Sequence, residues 1–411
     1  MPPLKNKKQI ISWCLFDFAN SSYSAVIAAV IFPVYYANEI VGDGTGLGDL
    51  WWGRAIALSM AIVAISSPFL GGIVDYANIR KRLLFLYTLL SVLSVSLFYF
   101  LQKGMIIEGF ILIVIANIGM EGGIVFYNSF FPEITESSYR GRVSAWGFGI
   151  GYAGSIISLL MALFLIHKGF IEFTWPMIAL FFLIFSLPAF IFLPRDKRSN
   201  IRLYEAATSG FYETIRRLRK MWSNREQRKF LAAYFLYEDG VNTVIVFSSI
   251  FAATTLGFKS EELIGMYLIV QLTALIGAFL IAKPSDYLGP KNIVMLALCL
   301  WIVVTILAYF VNEKSHFFVI ASIAGLGLGS VQAASRTFYS QFIPKGQEAE
   351  FFGVYSLVGK SSAIIGPLVF GYISSTFGSQ RPAILSVAMF FILGLIIIKT
   401  VEIVLNKDKE G

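Results

Sequence analysis

Apolar runs long enough to cross a bilayer recur along the whole of this 411-residue chain. A span needs about 20 predominantly apolar residues. Twelve runs qualify, at roughly 10–37, 51–75, 83–101, 107–131, 143–166, 174–193, 230–256, 263–284, 292–311, 317–341, 351–375 and 383–404. Inside lipid each segment must satisfy its own backbone polar groups, which leaves helices or a closed barrel. The runs are too long for barrel strands of about ten alternating residues. Only 14% of the residues are charged and 57% are hydrophobic, against roughly 25% charged in a soluble domain. The expectation is an all-α polytopic membrane protein with twelve transmembrane helices.

The chain also repeats itself about 212 residues apart. Phe126-Tyr127-Asn128-Ser129-Phe130-Phe131-Pro132 returns as Phe338-Tyr339-Ser340-Gln341-Phe342-Ile343-Pro344. At the same offset Gly141 meets Gly353, Gly147 meets Gly359 and Gly154 meets Gly366. Shifts of 211 and 222 bring Asp75 onto Asp286, and Asp17 and Asn20 onto Asp239 and Asn242. A period of this length is domain-sized, and in membrane chains doubling places a site between the halves. The chain divides as two pseudo-symmetric six-helix bundles, 1–193 and 230–411, joined by a basic linker, 194–229. Within the linker Phe211, Ile215, Leu218 and Trp222 recur at helical spacing among Arg216, Arg217, Arg219 and Lys220. That pattern fits an amphipathic helix on the inner membrane face or a solvated tether.

Lysine and arginine set orientation. With both termini inside, the inner segments carry Lys5, Lys7, Lys8, Arg80, Lys81, Arg82, Arg140, Arg142, Lys283, Lys291, Lys345, Lys407 and Lys409, and the outer loops only Lys103, Lys168, Lys259, Lys314 and Arg381. The expected location is the cytoplasmic membrane with both termini cytoplasmic. The net charge of +8 follows from topology, and no nucleic-acid-binding motif accompanies it. The apolar N-terminus lacks a small-residue cleavage site and reads as an uncleaved first span. Cys14 and Cys299 stand alone inside spans, and His167 and His316 lack metal-ligand spacing, so neither metal nor cofactor is expected.

Six ionisable residues fall well within spans: Asp17, Glu121, Glu238, Asp239, Arg336 and Lys360. Each would cost about 2.5–3.5 kcal/mol or more facing lipid at mid-depth, so they face the interior or water. Five of the six lie on the first and fourth spans of the two halves, as one polar cavity lined by equivalent helices would require. Structural ion pairing accounts for some of them. Four carboxylates face two cations, so a proton or a bound cation balances the surplus. Glu121 is the first choice for the exchanged proton because of its mid-depth position.

Asp17 and Asn20 share a helix face, and Asp239 and Asn242 repeat it. A pseudo-two-fold axis would turn the two faces toward each other near the inner mouth, as a gate or substrate anchor; the structural alternative is bonding to neighbouring helices. The loop Asp75-Tyr76-Ala77-Asn78-Ile79-Arg80 and its echo Asp286-Tyr287-Leu288-Gly289-Pro290-Lys291 read as latches at helix ends, with Asp75 suited to a helix N-terminus. The string Gly147-x-Gly149-x-Gly151-x-x-Gly154 lies inside an apolar span, which excludes a dinucleotide loop and points to close helix crossing. No nucleophile, base or metal constellation appears, so an enzyme is not expected.

Twelve spans in two halves, a basic central loop and Asp-Tyr loops after spans 2 and 8 resemble the major facilitator superfamily. Ser12-Trp13-Cys14-Leu15-Phe16-Asp17-Phe18-Ala19-Asn20-Ser21, Leu236-Tyr237-Glu238-Asp239-Gly240-Val241, and Ser335-Arg336 with Pro344-Lys345-Gly346, Glu350-Phe351-Phe352-Gly353 and Gly366-Pro367 are similar to its vacuole-effluxer-like branch. The resemblance implies alternating-access secondary transport without ATP. Two departures stand out: Glu238, where the family commonly has asparagine, and Asn78-Ile79-Arg80 in place of the usual glycine–arginine loop.

The leading expectation is a monomeric, proton-coupled carrier of a small polar solute, with an amino acid as first candidate. Arg336 and Lys360 would meet a substrate carboxylate, and Asp17 and Asp239 an amine, a gate or a proton. A lipid or drug exporter of the same fold is one alternative. A non-transporting sensor or scaffold is another, and it would have a dry, fully ion-paired centre.

Overall fold

A computed structural model describes residues 6–42, 47–196, 215–216, 219, 221–363, 365–377 and 379–402. Spans 1 to 10 are helices α1 (Lys7–Ser22), α2 (Leu47–Ala77), α3 (Arg80–Leu97), α4 (Ile106–Ile134), α5 (Arg140–His167), α6 (Thr174–Phe192), α7 (Arg225–Thr254), α8 (Ser260–Leu288), α9 (Pro290–Phe310) and α10 (Lys314–Ser340). Span 11 divides into α11 (Glu348–Ser361) and α12 (Ile365–Phe377), and span 12 is α13 (Gln380–Lys399).

Two spans differ from the simple rods expected. Beyond Ser22 the first widens to π winding over Tyr23–Val30, then bends by 41° into Phe32–Val41. Among the described residues ten helices meet the length and apolarity of a single crossing, and this bent pair makes an eleventh. Span 11 does not, because it is broken. Pro367 has no N–H to give and disfavours a helical residue before it. The Gly366 N–H leaves the helix ladder for a carboxylate on α7, at 2.8 and 2.9 Å from its two oxygens.

Packing repeats between the halves as the sequence does. In the first, α1 packs on α5 and α6, α2 on α4, and α3 on α4 and α6. In the second, α7 packs on α11, α12 and α13, α8 on α10, and α9 on α10 and α13. The glycine repeat sits at these crossings. A methyl group at Gly154 would strike the Phe18 backbone of α1, and one at Gly366 would strike Thr243 of α7. The halves meet along two related pairs of seams, α2–α11 with α5–α8 and α4–α11 with α5–α10.

The loops after α2 and α8 turn through one left-handed residue at the same repeat position. It is Asn78 (φ 53°) in the first half and Gly289 (φ 79°) in the second. Asparagine is among the few side chains that tolerate this region. Both loops thus place a positive-φ residue at this point.

Most of the linker, including Phe211, Arg217, Leu218 and Lys220, lies outside the described residues. At its start the Asp196 carboxylate accepts the Lys81 and Arg82 N–H groups at the head of α3. At its end Asn224 caps α7 by accepting from Glu226 and Gln227. Ile215 and Trp222 are exposed.

Candidate transport site

The face carrying the lysine- and arginine-rich loops is sealed by two related clasps. Asp75, at the last turn of α2, accepts the Ala349 and Glu350 N–H groups at 3.2 and 2.9 Å. Those amides open α11 in the other half, where the helix dipole favours an anion. Asp286, at the last turn of α8, accepts the Arg142 N–H at 3.0 Å, near the start of α5. Each acid thus holds the N-terminus of a helix across the seam, not of its own helix. Arg80 braces the first clasp between Asp75, Glu133 and Glu348 at 3.0–3.1 Å. Arg142 braces the second, 3.3 Å from Asp286. Close backbone approach completes the seal: a Cβ at Gly353 would meet the Ser67 carbonyl at 2.5 Å, and one at Gly141 would meet Ser285 at 2.6 Å.

Lys291 is not part of the Asp286 clasp. Its ammonium donates to the Lys399 and Val401 carbonyls at 2.9 and 2.6 Å, tying down the end of α13. Lys81 does the same for the end of α6, donating to the Leu193 carbonyl at 2.7 Å. The repeat partner of Lys291 is therefore Lys81, while Arg80 serves the clasp.

Deeper in, both expected cations reach from the second half into the first. Arg336 of α10 is 2% exposed and enters a cage of aromatic rings. Its guanidinium lies 4.1 Å from the Phe148 ring centre and 4.5 Å from that of Trp13. Its N–H groups donate to the Ser144 hydroxyl (3.0 Å), the Ser144 carbonyl (2.8 Å) and the Asn128 amide oxygen (3.3 Å). Asp17 supplies the counter-charge at 3.7 Å, beyond hydrogen-bond distance. Asp17 Oδ2, Asn20 Oδ1 and the Tyr127 hydroxyl are all buried without a hydrogen-bond partner among the described residues. Arg336 in this state is a cross-half bolt with no open surface for a substrate carboxylate.

Asp239 has the other role that burial allows. It is 0% exposed, and its two oxygens accept the Gly366 N–H, capping α12. Asn242, one turn on, lies 3.5 Å from the Ser362 hydroxyl at the break. The Asp17–Asn20 and Asp239–Asn242 faces do not meet each other. Each turns to the fifth helix of its own half, since both pack where the repeated glycines bring those helices closest.

The open part of the centre is built around Lys360 of α11, which is paired with Glu121 of α4. Both side chains stay partly accessible, at 17% and 13%. Glu238 of α7 feels the same ammonium but has no hydrogen bond or ion pair among the described residues. It lies within electrostatic range of the Tyr152, Tyr234 and Tyr355 hydroxyls. Tyr152 of α5 donates to Gln332 of α10 at 2.6 Å, Gln271 donates to Tyr267 at 2.9 Å, and Tyr234 stacks on Tyr355 at 4.3 Å. The structure thus gives three of the four carboxylates a partner: Arg336 for Asp17, Lys360 for Glu121, and the head of α12 for Asp239. Glu238 is left over.

The sequence placed Asp17, Glu121, Glu238, Asp239, Arg336 and Lys360 in the interior, and the structure divides them into a bolt, a helix cap and an open cluster. It did not single out Glu348, Gln332, Tyr267, Gln271 or Tyr355. Glu348 lies two residues before the run Glu350-Phe351-Phe352-Gly353 and outside it. The tyrosines and glutamines carry no charge to mark them among the many aromatics of the spans.

Comparison with known proteins agrees with this architecture. The family described as vacuole effluxer Atg22 like matches residues 54–409. The MFS-type transporter YxiO of Bacillus subtilis (strain 168) is 28% identical over 404 residues, covering 95% of this chain and 94% of that protein. Autophagy-related protein 22 of Coccidioides immitis (strain RS) is 24% identical over 422 residues, covering 82% of this chain and 70% of that protein. Among solved structures, the human organic anion transporter MFSD10 superposes with a TM-score of 0.78 at 15% identity, over 97% of this chain and all of that one. The major facilitator transporter FucP, in its outward conformation, gives 0.72 at 15% identity, over 96% and 98%. The chain belongs to the Atg22-like vacuole effluxer family and is a multi-pass membrane transporter of the major facilitator fold.

Proposed function

We propose that the protein is a proton-coupled secondary transporter of a small polar solute, with an amino acid as first candidate. It works in the cytoplasmic membrane, both termini inside, and the bundles 1–193 and 230–411 rock about the central cluster. The observation that carries this reading is the uneven charge at the centre. Glu121 and Glu238 share one ammonium, so the cluster holds one more acid than base. A buried unpaired charge is costly, so the surplus is settled by a proton or by the cationic end of a substrate. A scaffold would need no such imbalance, whereas a carrier can use it to make solute and proton depend on each other.

The proton assignment moves accordingly from Glu121 to Glu238. Glu121 already has a cation, and its pairing with Lys360 crosses between halves. A substrate carboxylate that reaches Lys360 must compete with Glu121, which loosens one tie between the bundles as the solute binds. The bolt at Arg336 and the clasps at Asp75 and Asp286 all lie on the side of the basic loops. The structure is thus closed toward the proposed interior.

The test is substrate-driven proton movement in sealed proteoliposomes containing a pH-sensitive dye, with the protein-forming amino acids supplied singly. At least one amino acid is expected to acidify or alkalinise the lumen, an ionophore to abolish the signal, and Lys360→Ala to remove it. No flux with any of them would remove amino acids as the cargo. Flux unaffected by Lys360→Ala would remove the cluster as the site.

A further inference from the structure

A second cavity lies in the outer half of the C-terminal bundle, apart from the polar cluster. It has a volume of about 100 Å³ and is bounded by α7, α8, α9, α10, α12 and α13. Its walls are mainly Phe247, Phe251, Trp301, Phe317, Leu328 and Phe370. The hydroxyls that border it are committed to their own helices. Thr243 donates to the Asp239 carbonyl at 2.7 Å, Ser248 to Ile245 at 3.3 Å, and Thr305 to Trp301 and Ile302 at 3.1 and 2.9 Å. One polar group remains uncommitted. The Trp301 indole N–H is buried and has no acceptor among the described residues, on a side chain only 2% exposed.

These properties select an occupant. A charged or zwitterionic solute would lose its hydration with nothing to replace it, so this is not a second place for the polar cargo. Water needs two to four polar partners and would find one. Apolar cavities of about 150 Å³ stay dry and take benzene or xenon; this one, at about 100 Å³, is about a third smaller. We infer that the cavity is a binding site for a compact neutral molecule, a single aromatic ring carrying a hydrogen-bond acceptor for the Trp301 indole.

The location gives such a ligand leverage. Phe370 of α12 stacks on Phe247 of α7, with centroids 4.0 Å apart and planes at 20°. The same two helices are joined one turn deeper by the Asp239 cap at the break in span 11. An occupant packs against α7, α10 and α12 together, so it stabilises their arrangement around the break.

Melting of the purified full-length chain with benzonitrile, benzene and benzoate tests the site. Benzonitrile is expected to raise the melting temperature saturably, benzene to raise it less, and benzoate, ring-matched but charged, to leave it unchanged. Ala321→Phe fills the cavity and is expected to abolish the benzonitrile response; Ala324→Leu tests the same point should the larger residue prevent folding. Trp301→Phe is expected to erase the preference for benzonitrile over benzene. The inference is overturned by the absence of any shift. It is equally overturned if the shift persists in both filled variants, which would mark partition into detergent, or if benzoate acts as well as benzonitrile.

Discussion

In the N-terminal bundle Asp17 looks onto the interior of an unbroken α5. It stands opposite a cation from the other half. In the C-terminal bundle Asp239, at the repeated position, looks onto a span divided into α11 and α12 and takes the Gly366 N–H with both oxygens. The same Asp-x-x-Asn face has thus become a tie between halves in one bundle and a hinge pin within a half in the other. A buried carboxylate must be compensated. Whether the facing helix is whole or broken decides whether the compensation comes from a charge or from a helix end. Duplication supplies two copies of one geometry, and a break of a few residues is enough to separate their tasks.

Removing the cation should have the largest effect. Arg336→Ala strands Asp17 and takes donors from Ser144 and Asn128, and breaking a buried pair costs about 3–5 kcal/mol. A large drop in melting temperature and loss of transport are expected. Arg336→Lys should recover only part, because lysine lacks the planar fork and the stacking surface. The comparison itself is tested by two double-mutant cycles. Asp17→Asn with Arg336→Gln should cost less than the two changes summed, whereas Asp239→Asn with Arg336→Gln should be additive. Additivity in the first cycle would dissolve the bolt.

Asp239→Ala comes next, with a loss of about 0.5–2 kcal/mol expected for a helix cap. Faster amide exchange should be concentrated at the start of α12 and the Arg336 cage left unchanged. Exchange that rises equally in both halves would contradict the hinge assignment.

The clasps should give the smallest of these effects. Asp75→Asn and Asp286→Asn each weaken an anion at a helix N-terminus, worth about 0.3–1 kcal/mol. Spin-label distances across the basic face should lengthen by the same kind of population shift in both variants. A change confined to one variant would show that the two clasps are not equivalent.

Much of the architecture was legible because lipid imposes it. Span length, the location of lysine and arginine, and the repeated glycines each have one physical reading. What the sequence could not show was pairing. Asp75 and Asp286 look like acids in equivalent loops, but that each caps a helix of the opposite half depends on a seam between distant segments. Lys291 looked like the counterpart of Arg80 from loop position alone, and the carbonyls it meets are more than a hundred residues away. The break in span 11 was visible only as Gly366-Pro367, a kink signal that does not specify which donor is freed or who receives it. Charge counting points to a surplus acid but does not say which one. Depth alone does not show that Glu121 pairs with Lys360 across the seam.

Glu238, which has no partner among the described residues, is proposed to carry the proton, while Glu121 is a paired tie between the bundles. The most direct measurement compares Glu238→Gln with Glu121→Gln in proteoliposomes, recording solute exchange and proton-driven accumulation separately. Glu238→Gln is expected to keep exchange and lose accumulation against a gradient, and Glu121→Gln to alter apparent affinity while accumulation persists. Proton-driven accumulation intact in Glu238→Gln and lost in Glu121→Gln would contradict it.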